Sequence, residues 1–182
     1  MRIKELIERL NTGIGLQLNE SILVPEVDMA FKDWVNNVQG DWMLIGGIVV
    51  GYYSKPRTTM DVDVIFQNRS SIPEKVNGFK RTRSLAFQHN KTHVEIEVLC
   101  PENINLDESL YDQIYNTSVI ENGIRIPSPA GMICLKLSRG SMQDLADIEA
   151  ILVKHPSTTI KGFLVDPDKV TSAENKLGRK IR

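Results

Sequence analysis

Apolar residues recur at Ile3, Leu6, Ile7 and Leu10, the spacing of one helical face, and Asn11-Thr12-Gly13 stops that helix. A second helix is predicted from about Pro25 to Val38, with Val27, Met29, Ala30, Trp34 and Val38 turned inward and Gly40 closing it. Trp42 to Ile45 reads as a buried strand broken by Gly46-Gly47. The next segment is either a short helix or a loop, ended at Lys55-Pro56. Asp61 to Phe66 alternates acidic and apolar residues, as a half-buried strand does. Phe79 to Gln88 and Thr92 to Leu99 form a predicted hairpin around His89-Asn90-Lys91. Within it Val94, Ile96 and Val98 share one face, and His93, Glu95 and Glu97 the other. Ser118 to Ile120 and Ile124 to Ile126 form a smaller hairpin through Glu121-Asn122-Gly123. The last third turns helical. Ser128-Pro129 opens a helix that Gly140 ends, Ser141 caps another carrying Leu145, Ile148, Ile151 and Leu152, and Asp166-Pro167 begins a last one.

Strands interleaved with helices over 182 residues describe one α/β (α+β) domain, a short mixed sheet flanked by helices with further helices at the C-terminus. Its core spans about 41–152, with N-terminal helices over 1–40 and a helical tail over 153–182. At 41% hydrophobic and 25% charged residues the chain can bury a core. A net charge of -1 and a pI near 6.3 give no global basic field for nucleic acid. Cys100 and Cys134 lack CxxC spacing and are expected as reduced thiols. The charged, amphipathic start is unlike a signal peptide, and the apolar run Trp42 to Tyr53 is too short and glycine-rich to span a bilayer. The expectation is a cytoplasmic protein with no membrane partner.

Candidate chemistry sits in WMLIGGIVVGYYSKPRTTMDVDVIF. Asp61 and Asp63, two apart on a strand, project from one face. At about 4 Å and an effective dielectric near 20, two carboxylates repel by about 4 kcal/mol. A divalent cation removes that penalty, and hard Mg²⁺ prefers carboxylate and phosphate oxygens. Glu95 and Glu97 repeat the pattern on another strand. Glycines after a strand allow close approach of backbone to phosphates, and a following helix N-terminus offers N–H groups. Each feature alone has an ordinary explanation: a solvated strand edge, a wet strand face, a tight turn. Their order along the chain is what points to phosphoryl transfer.

Gly46-Gly47, the Pro56-Arg57-Thr58-Thr59 approach and Asp61-Val62-Asp63 resemble the signature of the DNA-polymerase-β-like nucleotidyltransferase superfamily. The resemblance is closest to its small bacterial and phage branch, which includes AbiEii-type toxins of toxin–antitoxin systems. Val94 to Leu99 resembles the strand of the third metal-binding carboxylate. Cys134 to Leu152 resembles that branch's Lys…Arg…Asp-Leu-x-Asp helices. The resemblance implies two Mg²⁺ ions, or Mn²⁺, held by Asp61, Asp63 and Glu97, with Glu95 competing for the third place. It implies an NTP whose phosphates meet Gly46, Gly47, Lys136 and, equally well paired to a local acid instead, Arg57. Asp144 is expected as a structural contact near a helix N-terminus. The implied reaction moves an NMP to a hydroxyl of RNA (tRNA included), a protein or a small molecule, in a toxin-type setting with an antitoxin-type partner. Two positions depart from the pattern. Ile48 follows the glycines where many members carry serine, and both third-carboxylate candidates are glutamates. A non-catalytic nucleotide- or metal-binding module of the same fold is therefore the rival reading. A DxD glycosyltransferase needs a sugar-nucleotide domain this chain is too short to supply.

The remaining singular residues have plainer readings. His89, His93 and His155 lack zinc-ligand spacing and read as solvated or structural, and Trp34 and Trp42 as core anchors. Lys80, Arg81 and Arg83 suit a charged outer sheet face or an RNA guide, and Lys176, Arg179, Lys180 and Arg182 a mobile tail.

Overall fold

The computed structural model describes residues 24–55 and 59–181. The predicted helix at Ile3 to Leu10 lies outside them, as do Arg57 and Arg182.

The first described helix, α1 (Pro25–Asn37), opens on proline, whose missing N–H costs nothing at that position. Val27, Ala30, Phe31 and Trp34 form its buried face at i, i+3, i+4 and i+7. Met29 is instead 46% exposed. It stands two residues beyond Val27, about 200° round the helix, so it cannot share that face. Val38 caps the helix in an extended conformation, and Gly40, at φ +114, serves the turn that follows.

β1 (Trp42–Ile45) runs directly into α2 (Gly46–Tyr53), so the glycine pair begins a helix. β2 (Val62–Phe66) follows. A 3₁₀ turn (Arg69–Ser71), capped by the Asn68 side chain, leads to the outer strands. The predicted strand over Phe79 to Gln88 is two strands, β3 (Phe79–Arg83) and β4 (Ala86–His89). The chain reverses at Ser84-Leu85, a turn without glycine, proline or asparagine to announce it, and a register irregularity between Arg81 and Arg83 precedes it. β5 (Glu95–Leu99) returns along β4. The sheet order is β1-β2-β5-β4-β3, antiparallel throughout except for the parallel pair β2–β5.

α1 covers one face of this sheet, where the Trp34 ring meets Phe79 and Phe87 edge-on at 5.5 and 5.6 Å. His89 is buried on the same side. Its ring nitrogens meet Asp33 at 3.0 Å and Thr92 at 2.8 Å, which ties the β4–β5 connection to α1. That is a structural histidine.

Two helices, α3 (Pro101–Ile104) and α4 (Glu108–Asn116), precede the small hairpin of β6 (Val119–Glu121) and β7 (Ile124–Ile126). Asn122 and Gly123, both at positive φ, make its tight turn. α5 (Pro129–Arg139) starts with the Ser128 hydroxyl accepting from the Gly131 N–H and ends at Gly140, φ +69. Ser141 and Asp144 form a capping box at the head of α6 (Met142–Lys154). α7 (Pro167–Leu177) follows. The expected mobile tail is packed. Lys180 pairs with Glu174, the Ile181 N–H donates to the same carboxylate, and Ile181 is buried. Apolar Ile181 supplies burial that a count of the basic residues around it overlooks. Cys100 and Cys134 are free and buried. No described helix is long and apolar enough to cross a membrane.

Candidate functional site

The parallel pairing of β2 with β5 sets Asp63 opposite Glu97. On the other side of Asp63 stands Ile45, the last residue of β1, and Glu97 is followed across the sheet by Ala86 and then Arg83. Asp63 and Glu97 therefore lie side by side on the face opposite α1 and Phe87. Asp61, exposed just before β2, keeps the same parity as Asp63.

Gly46 brings the head of α2 onto Asp63. Its φ is +70, and a Cβ there would lie 1.7 Å from Asp63 Oδ2. Only a residue without a side chain lets the head of the helix close over that carboxylate. Burial, then the charges of Asp61 and Glu97 and a hydrogen bond with Glu97, push the Asp63 carboxyl up to about 7, against a smaller opposing pull from Lys136. Gly47 is buried in the first turn of α2.

Glu95 shares the face of Glu97, but its carboxylate is paired with the Arg83 guanidinium reaching back from β3. Arg81 is likewise occupied, donating to the Ser84 carbonyl and lying over the Phe87 ring. Of the basic residues of β3, two thus have partners within the sheet.

Lys136 is 5% exposed and lies between two acids of α6, with Nζ 3.1 Å from Asp144 and 2.8 Å from Asp147. Burial alone would raise the Asp144 carboxyl. The Ser141 hydroxyl and the Lys136 ammonium outweigh burial and hold it below the usual aspartate range. Asp144 also accepts from the Ser141 N–H, and Arg139 stands 3.6 Å away. Asp144 thus has the structural place expected of it, whereas Lys136 is committed to protein carboxylates.

Sequence reasoning passed over three partners: Thr59, whose hydroxyl donates to Asp61; Arg83, which holds Glu95; and Asp147 as a ligand of Lys136. Thr59 stood in the quoted motif, two residues before Asp61, and that spacing was the signal available.

Asp61, Asp63 and Glu97 supply only hard oxygen donors, and the Asp63 carboxyl, raised by burial and then by the charges of Asp61 and Glu97, stands where a cation would offset those charges. The set therefore fits Mg²⁺ by its chemistry. Among the described residues no three His, Cys, Asp or Glu side chains are grouped for coordination as they stand.

No protein-family profile and no curated protein sequence matches the chain. Among solved structures, it is similar to the crystal structure of an antigenic nucleotidyltransferase-like protein from Paracoccidioides brasiliensis. The two share 19% identity at a TM-score of 0.51, over 93% of this chain and 87% of that one. The likeness establishes the fold, a mixed sheet with flanking helices of nucleotidyltransferase-like type.

Proposed function

We propose that the protein is a nucleotidyltransferase that moves an NMP from an NTP to an acceptor hydroxyl and releases pyrophosphate. The observation that carries this reading is the side-by-side placement of Asp63 and Glu97 on parallel strands, with the glycine-headed helix α2 closed onto Asp63. Asp61, Asp63 and Glu97 would hold two Mg²⁺ ions, whose chemistry is to offset the charge gathering on the phosphates. Glu97 is favoured over Glu95 as third ligand because Arg83 already occupies Glu95.

The first turn of α2 would offer backbone N–H groups to the NTP phosphates, and Gly46 lets that turn sit against the Asp63 carboxylate. Glu97, exposed beside Asp63, takes the proton of the acceptor hydroxyl as its oxygen bonds to the α-phosphorus. The bond from that phosphorus to the bridging oxygen breaks, and pyrophosphate leaves. RNA, protein and small molecules remain the acceptor classes, and a toxin-type enzyme with a cytoplasmic antitoxin-type partner is the biological setting proposed.

Incubation with labelled NTPs, Mg²⁺ and total RNA, protein or candidate small molecules tests the reading. Transfer should fall at least about a hundredfold in Asp61→Ala and Asp63→Ala. NTP binding without transfer to any acceptor, or to the protein itself, would favour the rival non-catalytic module. Two observations support that rival: Ile48 offers no hydroxyl beside the glycines, and the Lys136 ammonium is already bound by Asp144 and Asp147.

A further inference from the structure

We infer that Thr59 is the positioning residue of the metal site, fixing the Asp61 carboxylate so that one chosen oxygen faces the cation. The inference rests on the metal-site reading above and extends it to a residue that touches no substrate.

Thr59 is 7% exposed, whereas Met60, the next residue, is 69% exposed. The chain thus anchors one side chain inward, leaves Met60 and Asp61 exposed and turns inward again at Val62, the first residue of β2. Residues two apart on extended backbone share a side, so Thr59 and Asp61 face one another's neighbourhood. The Thr59 hydroxyl lies 2.9 Å from Asp61 Oδ1 and 3.3 Å from the Asp61 backbone carbonyl. A hydroxyl has one proton to give. The shorter contact to the charged oxygen takes it, because bonds to ionised acceptors are about twice as strong as neutral ones.

The consequences for Asp61 are geometric. An exposed aspartate samples several rotamers and presents either oxygen. With Oδ1 tied to a buried donor, the carboxylate is held and Oδ2 is left for a cation. Buried threonine also restricts its own χ1, so the donor itself stays in place. The other acids have different supports. Asp63 is confined by Gly46 and Glu97, and Glu95 by Arg83. Among these acids, Asp61 is the one held by a hydroxyl side chain. Outer-shell partners of this kind are worth about 10–100-fold in metal affinity.

The test is Mn²⁺ titration of the full chain by calorimetry, without nucleotide. Thr59→Val keeps the shape of the side chain and removes the donor. It should weaken Mn²⁺ binding about tenfold or more. Thr59→Ser keeps the donor but loses the β-branch, and should bind within about threefold of the unaltered protein. In an Asp61→Ala background Thr59→Val should cost nothing further, since its effect passes through Asp61. Thr59→Ala, which removes the hydroxyl without adding bulk, gives the same comparison where valine disturbs packing, and thermal melts identify that case. Unchanged affinity in a folded Thr59→Val or Thr59→Ala overturns the inference and leaves the metal site standing. So does an equal loss with and without Asp61. Equal Mn²⁺ binding by the unaltered protein and Asp61→Ala overturns both the inference and the metal-site reading.

Discussion

Gly46 and Gly178 both adopt left-handed backbone, at φ +70 and +63, and they separate two costs of adding a methyl group. At Gly178 no heavy atom would lie within 4 Å of a Cβ, so Gly178→Ala should lose only the backbone term, about 1 kcal/mol. Gly46→Ala meets the Asp63 carboxylate as well. It should lower the melting temperature further and cut nucleotide transfer by at least about a hundredfold, read by thermal unfolding and the transfer assay. An equal loss of stability in both variants would show that α2 can lift off Asp63 freely. At this scale much of the candidate site's arrangement was legible. Spacing alone put Asp61 with Asp63, and Glu95 with Glu97. The choice between the two glutamates was not, because it depends on Arg83 reaching across from a strand that the sequence merged into its neighbour.

Helices α5 and α6 are joined by a buried ionic contact as well as by apolar packing. Lys136 extends from one to Asp144 and Asp147 on the other, while Ser141 and Asp144 cap each other's backbone. Removing one member of a buried set strands its partners, so Lys136→Met should destabilise the protein by about 3–5 kcal/mol in urea unfolding. A lysine that served only the substrate would leave stability unchanged on the same substitution. Ser141→Ala should cost about 1 kcal/mol as a lost cap. These caps, and that of Ser128, were readable because serine stood directly before the apolar period. The ion pair was not, since nothing in the spacing from Lys136 to Asp147 states how two helices cross.

For the whole molecule, two aspartates pull stability in opposite directions with pH. The folded Asp63 carboxyl is raised to about 7, so the folded state binds more protons than the unfolded one between the ordinary aspartate range and neutrality. Stability from this group is present in acid and is lost as pH rises towards about 7. Asp144 is lowered, so its contribution is present at neutral pH and is lost as pH falls through its folded value. Metal-free protein should therefore melt at progressively lower temperature from about pH 5 to about pH 8, and Asp63→Asn should flatten that trend. A slope unchanged in Asp63→Asn would assign it to other groups. The fold class, the order of most elements and the C-terminal helices followed from periodicity and caps; the strand order and the single parallel pair did not, because pairing partners leave no mark on local spacing. That parallel pair also sets when the candidate site can be assembled. β5 follows the β3–β4 hairpin in the chain, so the parallel partner of β2 is synthesised only after that hairpin, and the β2–β5 contact spans the residues between them. A nascent chain that has emerged through β4 carries Asp61 and Asp63 but neither Glu97 nor the α5–α6 clasp, so the candidate site has all its carboxylates only once β5 has been made.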